Sequence, residues 1–557
     1  MSSMSKMLKD DGARRDAISL HDRSILVEAG AGSGKTAVMA GRIAAMLAEG
    51  VAPRSIAAVT FTELAASELL SRVREFVADL SAGTIATELR VALPDGLSEV
   101  HRDNLAAASA SIDEITCSTI HGFCQRLIKP YPAEADIDPG AGVMDRNQAD
   151  LTFLEIVDGW LRERLSGGQG GILAEMVLHS PGETVALIHK IAENLRRRRT
   201  LAAPPVSPLT GHRTAFRQAA ADFAGFLDGT AAIEPETVTI VERLTEMATA
   251  LANGPDPATP TGLVRLLTSR PHPDLCTKGG TFASYRKKGK WAAAAKQAGL
   301  AKADGDRLND AADGHYTACC DAWVSLVQAA ASQALAALIE EARPIMERYR
   351  DHKRASAQLD FDDLIFAARD LLRDHDDVRR ALGQRFAHVL VDEFQDTDPL
   401  QTEIFWRLCG EPVDDDKNWA EFRIRPGALF LVGDPKQAIY RFRGADVSAY
   451  VQARDAFRAQ APDSLLSIST NFRSCASILT FVNERFEAVL SADGQPGFTA
   501  LDPFHDDRGG LNVAAIDIAV ADENGKASAE QQRDAEADVI AELCARLIDS
   551  HPIVDRR

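Results

Sequence analysis

A glycine-rich loop near the N-terminus has the composition of a phosphate-binding site. The run Ala29-Gly-Ala-Gly-Ser-Gly-Lys-Thr36 follows the β-branched segment Ile25–Val27 and precedes a helix-forming stretch, Ala37–Leu47. Glycines let backbone N–H groups close around phosphate oxygens, and the N-terminus of the following helix adds partial positive charge. Lys35 is placed to reach the β- and γ-phosphates, and the Thr36 hydroxyl to ligate Mg²⁺. The predicted nucleotide-binding residues are Ala29, Gly30, Ala31, Gly32, Ser33, Gly34, Lys35 and Thr36.

An acidic pair at the end of an apolar run supplies the second half of such a site. Val389-Leu-Val is followed directly by Asp392 and Glu393. Asp392 is expected to hold Mg²⁺, and Glu393 to polarise the attacking water as a general base. A lone Asp-Glu pair is more often a solvated cluster at a strand end. The phosphate loop upstream makes that reading much less favoured here.

Short β-branched runs stand just before these chemical residues, as expected for buried parallel strands of an α/β sheet. A long stretch between the third and fourth run is helical by pattern and is broken by loop signals such as Pro204-Pro205. The sequence therefore predicts an α/β fold with a large helical insertion. The five predicted strands are Ile25–Val27, Ile56–Thr60, Ile115–Ile120, His388–Val391 and Leu429–Val432.

A second α/β unit is expected to begin near Leu465. Its candidate strands are Leu465–Ile468 and Leu511–Ala519, and a last helix is expected around Ala535–Ile548. The chain ends at Arg557, early in this second unit. A truncated fragment and a naturally short relative are both compatible with that end.

Composition narrows the class of protein without identifying it. Of the 557 residues, 45% are hydrophobic and 26% charged, which is ordinary for a globular protein. The net charge of −19 argues against a protein that coats nucleic acid by bulk electrostatics, although a narrow DNA groove remains possible. No apolar run approaches the roughly 20 residues of a membrane span, and no signal peptide is evident. The eight scattered cysteines indicate a reduced compartment, and we expect a cytoplasmic protein without membrane contact.

At this point the sequence resembles the UvrD/Rep-type superfamily 1 DNA helicases, and most closely their RecB/AddA branch. Six motifs of that family occur in its order between residues 29 and 474. They are the AGAGSGKT form of the phosphate loop at Ala29–Thr36, motif Ia at Thr60–Leu69, a second DNA-contacting motif at Ser118–Cys124, motif II at Asp392–Gln401, motif III at Val432–Asp446 and motif IV at Asn471–Ser474.

The resemblance implies a P-loop NTPase with a RecA-like parallel sheet, a large helical insertion and the start of a second RecA-like domain. The corresponding ranges are 1–125 and 386–460 for the two parts of the first motor domain (1A), 126–385 for the 1B-type insertion and 461–557 for the start of the second motor domain (2A). The implied cofactors are ATP and Mg²⁺. The implied partners are single-stranded DNA or DNA ends and a RecC/AddB-like partner protein.

The resemblance also assigns roles to individual residues. Gln437 would sense the γ-phosphate, Phe472 would stack on adenine and Arg473 would act as an arginine finger. The implied DNA-contacting residues are Phe61, Thr62, His121, Tyr440 and Phe442, whose aromatic members would stack on bases without regard to sequence. Core packing is the alternative for Phe61 and Phe442, and stabilisation of its own turn for His121.

Three departures from the family pattern stand out. Arg14 occupies the register where the family has a Gln that reads the adenine edge, so adenine selectivity is less secure than ATP binding. Leu64 replaces a frequent Lys in motif Ia. No motif V, motif VI or C-terminal nuclease motif is found in the sequence.

The leading hypothesis is an ATP-dependent helicase or translocase on single-stranded DNA in recombinational double-strand-break repair, with 3′-to-5′ polarity implied by the resemblance alone. The alternative is an ATP-switched DNA-binding or assembly protein without processive unwinding, since motifs V and VI are absent. A P-loop kinase or transporter ATPase is disfavoured, because motifs Ia, III and IV have no place there.

Three further segments allow two readings each. The run Arg196–Arg199 fits a phosphate contact or, more readily, a solvated helix end. Tyr285-Arg-Lys-Lys-Gly-Lys-Trp291 fits a single-strand contact or a cap on the insertion. The acids of Leu359–Leu364 are expected to be structural.

Overall fold

The computed structural model describes residues 8–93, 96–168, 170–199, 202–413, 418–439, 446–492, 495, 497–507, 513, 516, 518 and 527–550. The chain forms two compact units. One comprises Met1–Ala135 with Ile365–Arg557, and the other comprises Asp136–Leu364. The second unit lies inside the range 126–385 expected for the insertion, and the assignment of motor domains to ranges stays a prediction.

The strands in the described part are β1 (Ile25–Ala29), β2 (Ile56–Thr60), β3 (Thr116–Thr119), β4 (Gly142–Val143), β5 (Gln358–Leu359), β6 (His388–Val391), β7 (Gly410–Glu411), β8 (Arg423–Ile424), β9 (Leu429–Gly433), β10 (Leu465–Ile468), β11 (Thr470–Cys475) and β12 (Asp502–His505). The helices are α1 (Asp11–Ser19), α2 (Lys35–Ala48), α3 (Glu63–Ser81), α4 (Glu99–Ala110), α5 (Ile120–Ile128), α6 (Arg146–Ser166), α7 (Ile172–His179), α8 (Pro181–Arg198), α9 (Leu209–Asp228), α10 (Pro235–Asn253), α11 (Pro260–Thr268), α12 (Lys288–Gln297), α13 (Lys302–Ala355), α14 (Phe361–Asp374), α15 (Asp376–Arg385), α16 (Pro399–Cys409), α17 (Val447–Gln460), α18 (Ala476–Leu490) and α19 (Ala529–Ser550).

A six-stranded parallel sheet forms the centre of the first unit, in the order β10-β1-β9-β6-β2-β3. All five predicted strands are present in it, and the α/β class is confirmed. The strands β1, β2 and β9 are almost entirely buried, as near-continuous apolar runs should be in a sheet covered on both faces. The carboxyl ends of parallel strands meet at one edge, and the predicted chemical residues follow β1, β6 and β9 there.

One strand was placed wrongly from the sequence. The segment Leu465–Ile468 does not open a second unit but pairs in parallel with β1 as the edge strand of the main sheet. The chain then leaves that sheet at Ser469, whose backbone N–H donates to Asp10 Oδ2 at 3.0 Å. A second, two-stranded parallel pair follows, β11 with β12, connected through α18. The other candidate strand, Leu511–Ala519, falls mostly outside the described residues.

The second unit is helical and contains two hydrophobic cores along one long helix. The C-terminal half of α13 packs with α6, α7, α8 and α11, and its N-terminal half with α9, α10 and α12. Its 54 residues correspond to a length of roughly 80 Å at 1.5 Å per residue. The short parallel pair of β4 with β5 brings the beginning and end of this unit together.

The helix α13 also qualifies the prediction about apolar runs. It contains an 18-residue window with a mean hydropathy of 1.5, enough by length and composition alone to cross a membrane. The central helix of a packed bundle meets the same criteria, and α13 is the helix on which both cores of this unit are built. This window is therefore accounted for by packing.

Candidate nucleotide and DNA site

The phosphate loop connects β1 to α2, and its backbone is arranged for an anion. Gly32 and Gly34 adopt left-handed conformations with φ of 68° and 82°, which cost a glycine little. Helix α2 begins at Lys35 without a side-chain cap and without an acidic residue in its first turn. Its first N–H groups therefore lack the usual side-chain acceptor, and the helix dipole favours negative charge there. The Thr36 hydroxyl is exposed beside this helix start. A nucleotide phosphate fits this arrangement.

The acidic pair lies directly against the phosphate loop. Lys35 Nζ donates to Glu393 Oε2 at 2.7 Å, although the two residues are 358 positions apart. Glu393 has a φ of 50°, a left-handed backbone that is uncommon for a residue with a side chain. Strain of this kind, of order 1–3 kcal/mol, is concentrated at functional sites. The conformation holds the Glu393 carboxylate toward Lys35 rather than along the strand axis.

Two carboxyl groups beside Glu393 have raised pKa values. Burial, then the neighbouring Glu393 carboxylate, raises the pKa of Asp392 to about 6. The same two causes raise the pKa of Asp396 to about 6. One Asp396 oxygen, Oδ1, is buried without a hydrogen-bond partner in the part of the chain that the structure describes. A concentration of partly desolvated carboxylates is an environment that a divalent cation would stabilise.

A chain of hydrogen bonds links the acidic pair to the loop after β9. Gln395 Nε2 donates to Glu393 Oε2 at 2.7 Å, and the Asp434 backbone N–H donates to Gln395 Oε1 at 2.8 Å. Gln437 Nε2 then donates to Asp434 Oδ2 at 2.7 Å. The predicted γ-phosphate sensor Gln437 is thus connected to Glu393 through two buried side chains. The predicted stacking residues Tyr440 and Phe442 lie outside the described residues.

The β11 segment packs against the phosphate loop. Asn471 Nδ2 donates to the Ala31 carbonyl at 2.5 Å, and the Phe472 backbone N–H donates to the Gly32 carbonyl at 2.8 Å. A Cβ added at Gly32 would come within 2.7 Å of Arg473 Cβ, so only glycine fits this approach. The Arg473 side chain is exposed and makes no ion pair among the described residues. The structure therefore brings Phe472 and Arg473 next to the loop.

Arg14 is buried at the same junction. Its guanidinium donates to the Asp10 carboxylate through Nε and Nη2, both at 3.0 Å. It also donates to the carbonyls of Ser33 at 2.9 Å and Thr470 at 3.2 Å. Its carbon Cζ lies 4.9 Å from the centroid of the Phe472 ring. Arg14 thus links α1, the phosphate loop and β11.

The DNA-contacting residues predicted near the N-terminus follow two neighbouring strands. Phe61 is 37% exposed after β2, so core packing does not account for it, and Thr62 caps α3 by accepting from the Ala65 backbone N–H. His121 lies in the first turn of α5 after β3, and burial lowers its pKa below the ordinary 6.5. Thr119 Oγ1 donates to Glu63 Oε1 at 2.8 Å and joins the two segments.

The stretch between Tyr285 and Trp291 is structural in its aromatic members. Trp291 is fully buried, and its indole N–H donates to the Tyr285 hydroxyl at 2.7 Å. Lys287 and Lys290 both pair with Glu236 on α10. A fully buried indole has no face to offer a base, so the reading as a cap of the helical unit is favoured over single-strand stacking.

The arginine run and the acids near β5 are also occupied within the helical unit. Arg196 lies over the rings of Phe153 and Tyr349, with its Cζ 5.1 and 5.4 Å from their centroids. Lys353 Nζ donates to Asp360 at 3.0 Å and to Asp363 at 2.6 Å. These charges serve packing, as expected for the acids of Leu359–Leu364. A groove of about 810 Å³ between α9 and α10 has no predicted site residue in its lining.

Sequence reasoning missed four residues that build this site. Gln395 and Asp396 stand inside motif II, so their position was a signal that could have found them. Asp10 and Asn471 gave no local signal, because their partners lie 460 and 440 positions away along the chain. Only the folded chain brings those partners together.

A phosphate loop whose lysine meets a strand-end acidic pair, on a parallel sheet, defines a P-loop NTPase. Residues 11–458 match the family model for the UvrD/REP helicase N-terminal domain. The chain therefore belongs to the UvrD/REP helicase family.

Similar proteins are named as the A-type component of an ATP-dependent helicase/nuclease. The relative from Natranaerobius thermophilus is 25% identical over 509 residues, covering 86% of this chain and 38% of that protein. The relative from Moorella thermoacetica is 28% identical over 512 residues, 85% of this chain and 34% of that protein. For Acetivibrio thermocellus the values are 25% over 562 residues, 94% and 42%. The chain thus spans about two fifths of the length of these curated relatives.

Proposed function

We propose that this chain is the ATP-dependent motor portion of a DNA helicase that acts on single-stranded DNA in recombinational double-strand-break repair. The observation that carries the proposal is the contact of Lys35 with Glu393, which joins the phosphate loop to the acidic pair. The family membership and the relatives' printed name, which makes each of them one subunit of an ATP-dependent helicase/nuclease, support the DNA substrate and a partner protein. Polarity of 3′-to-5′ rests on the resemblance.

ATP with Mg²⁺ is the proposed cofactor pair, and the residues present fit it. Thr36, through its exposed hydroxyl, and Asp392 would hold the metal ion, which when bound neutralises charge on the phosphates. Lys35 would exchange its contact with Glu393 for the β/γ-phosphates. The freed Glu393 carboxylate would then accept the proton of the attacking water.

Coupling to DNA is proposed to run through the loops after β2, β3 and β9. Gln437 would report the γ-phosphate through Asp434 and Gln395 to the same loop that continues to Tyr440 and Phe442. Phe61 would provide an exposed aromatic face, and Thr62 and His121 would border it. Phe472 would stack on the base of the nucleotide, and Arg473 would contribute positive charge to the transferring phosphoryl group.

The alternative of an ATP-switched binding or assembly protein is not favoured. The relatives that match most of this chain are named as helicase/nuclease subunits, and the catalytic carboxylate Glu393 is present and contacts Lys35. A protein that only switches on binding does not require a positioned general base.

A direct test is the titration of Mg·ATP into the purified full chain and its Lys35→Ala variant. The substitution removes the cation at the β/γ-phosphates, so binding should fall by at least a hundredfold. Lys296→Ala, at an exposed position of α12 in the helical unit, is the matched control and should bind ATP as the unaltered chain does. Equal ATP affinity of the Lys35→Ala variant would refute the site.

A second titration tests the DNA substrate. A fluorescent single-stranded oligonucleotide should bind more tightly than a blunt duplex, with an affinity that falls as salt rises. Phe61→Ala should weaken single-strand binding and leave the thermal midpoint of unfolding unchanged, because Phe61 is exposed. Preference for the duplex would contradict the proposed substrate.

A further inference from the structure

The polar groups of the Asp10–Arg14 pair are almost entirely used within the protein. Four of the five N–H groups of the Arg14 guanidinium donate to Asp10, Ser33 and Thr470. Asp10 accepts from Arg14, from both the backbone and the hydroxyl of Thr470, and from the backbone of Ser469. The pair is also buried, with 8% of the Arg14 and 4% of the Asp10 side chain exposed. It is therefore a rigid, internally satisfied unit.

This unit lies between the phosphate loop and the Phe472 ring. Arg14 Nη1 holds the Ser33 carbonyl of the loop, and the guanidinium covers a face of Phe472 at 4.9 Å. Phe504 packs on the same ring, with centroids 4.9 Å apart and planes tilted by 50°. The base end of a nucleotide held by the loop would therefore meet aromatic and guanidinium surfaces.

Such surfaces distinguish the two purines poorly. Adenine presents a donor at N6 and an acceptor at N7, whereas guanine presents acceptors at O6 and N7. Reading adenine requires an acceptor for its N6 amino group, and the Asp10 carboxylate is already saturated by five hydrogen bonds. The one remaining Arg14 N–H can only donate, and N7 accepts in either purine. Stacking does not separate them either, because every base has a π-face.

We propose that Arg14 makes this nucleotide site tolerant of the base, so that the chain binds ATP and GTP with affinities within tenfold of each other. The inference rests on the proposed function, since it presumes that the phosphate loop holds a nucleoside triphosphate. A site built to hydrogen-bond one base edge rejects an analogue that lacks the matching group by several orders of magnitude. The Asp10–Arg14 unit removes that discrimination.

The test is calorimetric titration of Mg·ATP and Mg·GTP into the full chain, in parallel. The expected ratio of the two dissociation constants is below ten. The double variant Asp10→Asn/Arg14→Gln replaces the locked ion pair by neutral amides that offer both donors and acceptors, and should raise the preference for ATP at least tenfold. Arg15→Gln, at the exposed neighbouring arginine that pairs with Asp16, is the control and should leave the ratio unchanged.

The outcomes separate this inference from the proposed function. Binding of ATP with a preference over GTP above tenfold in the unaltered chain overturns the inference and leaves the nucleotide site intact. Binding of neither nucleotide overturns the phosphate site and the inference together. Phe472→Ala should weaken ATP and GTP by the same factor, and a selective loss of ATP would overturn base tolerance. The ratio in the unaltered chain decides the matter even where the double variant is unstable.

Discussion

Glu393 combines two properties that rarely coincide in one residue. Its backbone is left-handed, with φ at 50°, and its carboxylate is shared between Lys35 and Gln395. The ion pair with Lys35 holds the general base and the phosphate-binding cation against each other. A nucleotide must separate them, so binding and activation of the base are one event at this position.

Replacing Glu393 by Gln should separate ATP binding from hydrolysis. The neutral amide no longer competes with phosphate for Lys35, so the dissociation constant for Mg·ATP should be unchanged or lower. Hydrolysis should fall by about 10²–10⁴, the usual contribution of a general base. Both are measurable on the full chain, with single-stranded DNA present for the hydrolysis assay.

Glu411→Gln is the control for this change, because Glu411 is about half exposed and pairs with Arg379 away from the loop. A Glu393→Gln variant that binds ATP as weakly as Lys35→Ala would contradict the competition described here. It would indicate that Glu393 positions Lys35 rather than restraining it.

Gly32→Ala should disturb the loop through two effects that a second glycine can separate. A left-handed alanine costs about 1–2 kcal/mol, and the new Cβ would also meet Arg473 Cβ at 2.7 Å and Asn471 Nδ2 at 2.8 Å. At Gly83, where φ is 80°, an added Cβ has nothing within 4 Å. Gly83→Ala should therefore lose only the conformational part of the free energy of unfolding.

Chemical denaturation of both variants measures the difference. Gly32→Ala should be the less stable of the two and should also bind Mg·ATP more weakly, because β11 must shift. Equal losses in the two variants, with ATP binding intact, would show that the close approach of β11 to the loop is of no consequence.

Among the structural elements, the junction of α1, β10 and β11 depends on one carboxylate. Burial alone would raise the pKa of Asp10, but hydrogen bonds from Arg14 and Thr470 outweigh it and hold this pKa below the ordinary 3.8. A folded-state pKa lower than the unfolded one contributes stability at pH values above 3.8. That contribution declines as the pH falls below 3.8 and through the folded-state pKa.

Asp10→Asn should therefore lower the free energy of unfolding at pH 7 and make less difference in acid. The measurement is urea denaturation of both proteins between pH 3 and pH 7, and the gap between them should narrow below pH 3.8. Asp16→Asn, on the same helix and about one-third exposed, is the control and should be nearly neutral. A gap that stays constant with pH would contradict the role of the Asp10 charge.

The element α12 gives a second prediction, in the helical unit. Trp291→Ala removes a fully buried indole from the core formed with α9, α10 and α13, which should cost about 3–5 kcal/mol. Lys287→Ala and Lys290→Ala each remove only a surface ion pair with Glu236 and should change stability by less than about 1 kcal/mol. Thermal unfolding compares the three variants.

Single-strand affinity, measured under conditions where all three variants are folded, completes this comparison. None of them should lose affinity more than a few-fold. A folded Trp291→Phe variant with a large and selective loss of single-strand binding would restore the DNA-contact reading of this stretch.

Strand identity was predictable from the sequence, but strand partners were not. Buried parallel strands are recognisable by their β-branched runs, so Ile56–Thr60 and His388–Val391 were placed correctly. Leu465–Ile468 was identified as a strand and assigned to the wrong sheet, because its partner β1 lies more than 400 residues away. Local sequence carries no record of such a partner.

The site followed the same division. Chemistry-bearing residues in short motifs, such as Lys35 and Glu393, were identifiable one motif at a time. The hydrogen bonds that connect those motifs, through Asp10, Gln395 and Asn471, depend on where distant loops meet at one sheet edge. Burial also determined the role of Trp291, which its aromatic and basic neighbours in the sequence could not.

At the scale of the whole molecule, the helical unit has the features of an independently folding domain. It has its own two cores, and its ends are joined by the β4–β5 pair and by Lys353 with Asp360. Residues 136–364, expressed alone, should show a helical circular dichroism spectrum and one or two cooperative thermal transitions. An unfolded or aggregated product would contradict this.

The complementary protein joins residues 1–135 to 365–557 through a flexible Gly/Ser linker. It retains the six-stranded sheet and every residue proposed to bind the nucleotide. It should bind Mg·ATP with an affinity close to that of the full chain, and Lys35→Ala should abolish this binding. Loss of binding despite a folded sheet would assign the helical unit a part in the nucleotide site.

The position of β1 in the sheet has a consequence for synthesis on the ribosome. Its two neighbours are β9 and β10, so an apolar strand made among the first 30 residues stays unpaired until the end of β10 has emerged. Roughly 440 residues are added in between, which at about 5–20 residues per second takes on the order of 20 to 90 seconds. During that interval β2 and β3 can already pair, while Ile25–Ala29 remains an unpaired apolar strand on a nascent chain and is exposed to aggregation. Chaperones that shield apolar strands during translation should therefore set the yield of this protein in the cell more than its final stability does.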